Sequence, residues 1–151
     1  MWNWKPVYED EEYAFFCDLD NIIDTVGDGE GMFGSTECYM PIPERFGVWT
    51  TLFPKRKETR KNYLETRKKS GLPATGYNTY RYTLCLVEFD TSSHRYRSIP
   101  AADYNGNDEQ IGDSSILECR LFMEVLSKDW AGIRSKNTHP MIRDLFRVFD
   151  K

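Results

Sequence analysis

Between residues 78 and 89 the chain alternates with a period of two. Tyr80, Tyr82, Leu84 and Leu86 fall on one side, and Arg81, Thr83, Cys85, Val87 and Phe89 on the other. That period is the mark of a β-strand, and apolar residues on both sides require a central strand covered at least partly on each face. A central strand needs partners, so this segment commits the chain to a sheet. Asp90-Thr91-Ser92-Ser93 is a tight polar turn and residues 94–99 return as a strand, which makes a β-hairpin.

Further strands follow from the same rule. Tyr13, Phe15, Cys17 and Leu19 share one side of a strand over residues 13–19, with Asp18 on the other. Phe46-Gly47-Val48-Trp49-Thr50-Thr51-Leu52-Phe53 is rich in β-branched and aromatic residues, and Pro54 ends it. The segment Trp2-Asn3-Trp4-Lys5-Pro6-Val7-Tyr8 fits an edge strand or a Trp packed onto the domain, with Pro6 limiting its pairing. Residues 24–35 carry Gly27, Gly29, Gly31 and Gly34 and are expected to be a loop, and Asn105-Gly106-Asn107-Asp108 is a turn. Residues 114–126 are two-sided. Ser115-Ile116-Leu117-Glu118 fits a capping box, whereas the apolar run 116–122 suits a last strand, which is the preferred assignment.

The C-terminal segment changes period. Met141, Ile142, Leu145, Phe146 and Phe149 line one helical face, with Thr138 as the expected N-cap, Pro140 in the first turn and His139 a cap or a bystander. So short a helix does not persist alone in water and must lie on the sheet. The fold class expected is mainly β (α+β): an antiparallel sheet with a C-terminal helix on one face, in one domain spanning residues 1–151. A chain of 151 residues buries roughly two-thirds of its unfolded surface, enough for a core without staples.

Charge is uneven along the chain. Residues 6–44 hold eleven Asp or Glu and no Lys or Arg, whereas residues 55–69 hold eight Lys or Arg against two Glu. The net charge of −4 argues against a general nucleic-acid binder. Residues 55–76 are expected to form a charged insertion, either a loop or a surface helix without an apolar stripe wide enough to anchor it. Lys55, Arg56, Lys57, Arg60, Lys61, Lys68 and Lys69 are its candidate binding residues, for a polyanion or an acidic partner, against the plainer alternative of a solvated segment.

Catalytic and metal signatures are missing from the sequence. It holds no phosphate loop, no dinucleotide-binding glycine pattern and no nucleophile elbow. Asp18, Asp20 and Asp24 do not have calcium-loop spacing and are expected to be exposed acids; His94 is expected as a surface or cross-strand residue. Cys17, Cys38, Cys85 and Cys119 form no C-x-x-C pair and permit two disulfides in three pairings, although Cys17 and Cys85 lie in apolar runs where a free buried thiol is the commoner fate. No enzyme activity, cofactor or metal is expected. No run is long and apolar enough to span a bilayer, and Met1-Trp2-Asn3-Trp4 does not open a signal peptide. The chain is therefore expected to be cytoplasmic, or else a mature extracytoplasmic form (periplasm or cell surface) in which Met1 replaces a removed leader.

Several short motifs carry a family resemblance. Tyr13 followed by Asp18 and Ile22, then Val48-Trp49, then Leu86-Val87-Glu88-Phe89-Asp90 with Arg95-Tyr96-Arg97, and last Gly112, Trp130 and Ile133 before a closing helix, run in order through the chain. This pattern resembles the bacterial surface-adhesin protein E family. The resemblance implies a sheet of about six antiparallel strands with the helix on its concave face. It also implies a non-enzymatic envelope protein that binds a host, matrix or envelope protein. The family's cysteine after the Phe-Asp pair and its partner near the C-terminus are replaced here by Thr91 and about Phe149, so the helix must be held by packing alone. Two other functions fit: a structural envelope assembly factor acting as a homodimer, and a small-ligand carrier using the concave sheet face.

Overall fold

In a computed structural model the alternating segment is strand β5 (Tyr80–Asp90), with neighbours on both sides. The structure describes residues 2–24, 31–33, 44–114, 130–133 and 138–149. Among them, eight strands form one antiparallel sheet: β1 (Trp4–Glu9), β2 (Tyr13–Asp24), β3 (Gly31–Phe33), β4 (Arg45–Pro54), β5, β6 (Arg95–Asn105), β7 (Gln110–Asp113) and β8 (Ala131–Gly132). The spatial order is β1-β2-β4-β5-β6-β7, with β3 paired to β2 and β8 to β6. Helix α1 (Lys57–Lys69) joins β4 to a 3-10 turn (Tyr77–Thr79) before β5, and α2 (Pro140–Arg147) is C-terminal.

One face of the sheet is the core. Phe15 and Cys17 of β2, Phe46, Val48 and Leu52 of β4, and Val87 and Phe89 of β5 are buried there beneath Met141, Ile142, Leu145 and Phe146 of α2. Burying a side chain of this size contributes about 1.5–3 kcal/mol, and packing does hold the helix: Phe146 lies 5.4 Å from Phe89 and Phe149 lies 4.9 Å from Phe46, ring centre to ring centre. The N-cap is His139, one of the two roles expected for it, and not Thr138. Nδ1 of His139 accepts from Met141 N at 3.2 Å, while Thr138 Oγ1 donates to Gly132 O.

Register shifts account for the other departures. Asp18 is not an exposed acid but fully buried, accepting from Asp20 N at 2.9 Å and Asn21 Nδ2 at 2.8 Å across a bulge in β2. That bulge lets β2 run on to Asp24 and pair with β3, inside the stretch expected to be a loop. His94 stands in the turn at φ 52° instead of opening β6. A shift between Tyr80 and Tyr82 turns Tyr80 to the core. Cys17 and Cys85 are free, and geometry explains why. Each pairs with Thr50, from opposite sides of β4, so two strand spacings of about 4.8 Å separate them, too far for a disulfide. Cys38, Cys119 and the run 116–122 lie outside the described residues.

Candidate functional site

The face turned away from the helices is aromatic. Period-two alternation puts Phe16, Phe53, Tyr82 and Tyr104 on it from β2, β4, β5 and β6, and their rings form a ladder across four strands. Phe16 meets Phe53 edge-on at 5.4 Å, Phe53 stacks on Tyr82 at 4.6 Å, and Tyr82 stacks on Tyr104 at 5.1 Å with planes 6° apart. Offset and edge-on geometries of this kind add to the area each ring buries. At the sheet edge β1 places Trp4 opposite Asp18, and Trp2 stacks on Trp4 at 5.1 Å while meeting Trp49 edge-on at 6.0 Å.

A pocket of about 330 Å³ opens between these groups, lined by Trp2, Trp4, Tyr82, Leu84, Tyr104 and Asp108. Asp108 belongs to the β6–β7 turn and sits at φ 60°, a left-handed conformation that Asp tolerates better than most residues. The turn is tied from within: Asn105 Oδ1 accepts from Asn107 N and Glu109 N, and Asp108 N donates to Asn105 O. Tyr82 Oη donates to Asp108 Oδ1 at 2.9 Å. Burial first, and that hydrogen bond second, raise the Tyr82 hydroxyl above its ordinary range, so it stays a neutral donor. Trp2 and Ile99, the two large apolar side chains left exposed among the described residues, both belong to this face.

The basic segment is arranged differently from a single patch. Lys55 Nζ donates to Glu9 Oε1 at 2.9 Å and Asp10 O at 2.8 Å, and Arg56 stands within 3.9 Å of both Glu11 and Glu12. The acidic turn and the basic segment, far apart in sequence, thus partly neutralise each other. Arg60 donates to Pro54 O and Lys55 O at the start of α1. Lys57, Lys61, Lys68 and Lys69 are exposed, and the first three share one helical side by their i, i+4, i+11 spacing.

Contrary to the expectation of a weakly anchored segment, α1 is docked, and by polar chemistry. Asp103, fully buried, accepts from Tyr63 Oη at 2.7 Å and Tyr77 Oη at 2.6 Å on Oδ2, and from Thr83 Oγ1 at 2.6 Å on Oδ1. Arg67 of α1 stands 3.7 Å from the same carboxylate, stacks 4.0 Å over Tyr77, and donates to Pro73 O and Asp113 O. Desolvation outweighs these partners and raises the Asp103 carboxyl above its ordinary value. The packing is close: a Cβ at Gly112 would stand 2.6 Å from Tyr77 Oη. A second charged cluster lies at the far end of the sheet, where buried Glu88 accepts twice from Arg97 and faces Arg45 at 3.8 Å, and Arg45, Arg95 and Arg97 surround the Trp130 ring at 4.8–5.8 Å.

Among the described residues no three His, Cys, Asp or Glu side chains gather as a metal site, and no helix is long and apolar enough to cross a membrane. Compared with known proteins, the chain matches no family model, no curated protein and no solved structure.

The pocket residues were not singled out by sequence reasoning. Pro100, inside a strand, was the available cue. The register of the β5–β6 hairpin slips by one residue between Leu84 and Cys85, opposite Pro100 and Ala102. Proline in a strand interior marks such a bulge. Without the slip Tyr104 would point to the core and Asp103 to solvent, so one residue decides both the pocket and the α1 anchor.

Proposed function

We propose that this chain is a non-enzymatic binding module that recognises its partner with the aromatic face of the sheet, seating a protruding chemical group in the Trp2–Trp4–Tyr82–Tyr104 pocket. The observation that carries this is the open pocket itself. It combines aromatic walls with a few placed polar groups, four of its six lining residues standing on strands, the usual make-up of a recognition site. The sheet face beneath α2, by contrast, is filled by Met141, Ile142 and Leu145, all fully buried, which leaves a carrier role little room there. Titrating the full chain with a chemically broad fragment set, and following the Trp indole resonances, tests the proposal. Shifts should gather on the indoles of Trp2 and Trp4. Indoles of Trp2 and Trp4 that no fragment moves would end it.

An envelope setting is proposed on the resemblance to the adhesin E pattern alone. Fractionation of native cells that leaves the protein wholly in the cytosol would refute it. Docking of a polyanion on α1 is a second reading, favoured by the exposed lysines at 57, 61, 68 and 69. Reversing Lys57, Lys61, Lys68 and Lys69 to Glu should then abolish retention on heparin at low salt, since exposed charges act over about 8–10 Å at physiological ionic strength. Unchanged retention would show these lysines to be merely solvated.

A further inference from the structure

We propose that the pocket takes an organic cation, a quaternary or alkylated ammonium group, inserted between the indoles of Trp2 and Trp4 and the stacked tyrosines of β5 and β6. This inference rests on the outer-face reading above and assigns its ligand chemistry.

Four of the six lining residues are Trp or Tyr, and none is Lys or Arg. Aromatic rings present negative faces, and a cation within about 6 Å of a ring centre is attracted to them, most strongly by Trp. Tyr82 is stacked between Phe53 and Tyr104, so this attraction falls to Trp2, Trp4 and Tyr104. The only ionisable lining group besides the tyrosines is the carboxylate of Asp108. Its Oδ1 accepts from Tyr82, and among the described residues no basic side chain pairs with it. Among the described residues its charge therefore faces the opening without a basic partner.

The surroundings carry the same sign. Asp18 lies opposite Trp4 in the β1–β2 register, fully buried, held by a backbone amide and Asn21 and by no basic side chain among the described residues. Asp20 holds Asn3, between the two indoles in sequence, at 2.7 Å. An anion would meet this field as repulsion. A bare metal ion would find a single carboxylate where it needs several ligands. A diffuse organic cation loses little hydration on entering and gains from both the rings and the carboxylate. The volume of about 330 Å³ sits at the small end of small-molecule pockets, roughly 300–1,000 Å³, and suits a trimethylammonium group with a short tail.

The test compares choline with 3,3-dimethylbutan-1-ol, which has nearly the same shape and no charge, on the full chain. Indole resonances are assigned with Trp2→Phe and Trp4→Phe. Choline should shift both indoles saturably, with the alcohol at least about tenfold weaker, and Asp108→Asn should weaken choline by about five- to tenfold while leaving the alcohol unchanged, given cation–π and charge contributions of roughly 1–2 kcal/mol. Asparagine also tolerates the left-handed turn position, so the variant keeps the fold. Equal affinity for choline and the alcohol, or binding of a neutral disaccharide alone, would overturn the cation inference and leave the outer-face reading standing. If none of the three moves the Trp2 or Trp4 indole, the cation inference fails, and the outer-face reading loses its main support with it.

Discussion

Helix α2 lays Met141, Ile142, Leu145 and Phe146 on the sheet, while α1, on the same face, buries only Tyr63 and Arg67 and reaches through them to a carboxylate. The first attachment is non-directional and scales with apolar area. The second depends on geometry, because a buried carboxylate is tolerated only while its partners surround it. The contrast teaches that a helix without an apolar stripe can still be firmly placed, provided the sheet offers a buried acceptor where its tyrosine and arginine arrive.

The sharpest way to break the contrast is to remove the acceptor. Asp103→Ala removes the carboxylate beside buried Arg67 and the shared acceptor of three hydroxyl groups, and should cost about 3–5 kcal/mol in urea unfolding, the usual effect of deleting one partner of a buried pair. A loss under about 1 kcal/mol would mean α1 is held by something else. For α2, Leu145→Ala should cost about 2–5 kcal/mol by leaving a cavity at a fully buried position. If the measured change stays below about 0.5 kcal/mol, the helix is not docked.

A gentler cut, Tyr63→Phe, removes one hydrogen bond to a charged acceptor and keeps the ring. Roughly 1.5–3 kcal/mol should be lost, and thermal melts of the variant and parent would show it. Complete insensitivity would place the docking energy of α1 in the edge-on packing of the Tyr63 ring against Tyr80 instead.

The smallest effect expected is a pH dependence. Because the Asp103 carboxyl is raised in the folded state, the folded protein binds a proton more readily than the unfolded chain at pH values between the unfolded carboxylate range and the raised one. Lowering pH through that window therefore stabilises the fold at this site, and raising it withdraws the gain. Parent stability relative to Asp103→Asn should rise as pH falls from neutrality toward the ordinary carboxylate range. A difference that stays flat, or runs the other way, would show that Arg67 and the hydroxyl donors outweigh desolvation.

The sequence made α2 legible because apolar burial leaves a periodic trace: Met141, Ile142, Leu145 and Phe146 are the residues the structure buries. The same holds for β5, read from its alternation, and for β4, read from its run of β-branched and aromatic residues. The anchor of α1 left no such trace. In sequence Tyr63 is an isolated aromatic in a charged segment and Arg67 one more charge, and Asp103 is brought inside by a one-residue slip near Pro100. The pocket was hidden for the same reason, since Tyr82 and Tyr104 become neighbours only after that slip. The basic segment was visible as composition, but the pairing of Lys55 and Arg56 with the acidic turn at residues 9–12 is a long-range fact.

Cys17 and Cys85, facing each other across Thr50, also act as timers. Burial pushes the Cys17 thiol up to about 12 and raises Cys85 as well, so neither is a thiolate at neutral pH while the sheet is closed. Alkylation at these two positions must wait for the core to open around each of them, by strands parting or by the helices lifting away. The rate at which each reacts then reports local opening around β2 and around β5 separately. Equal rates would mean the core opens as one unit, and unequal rates would show which strand is uncovered first.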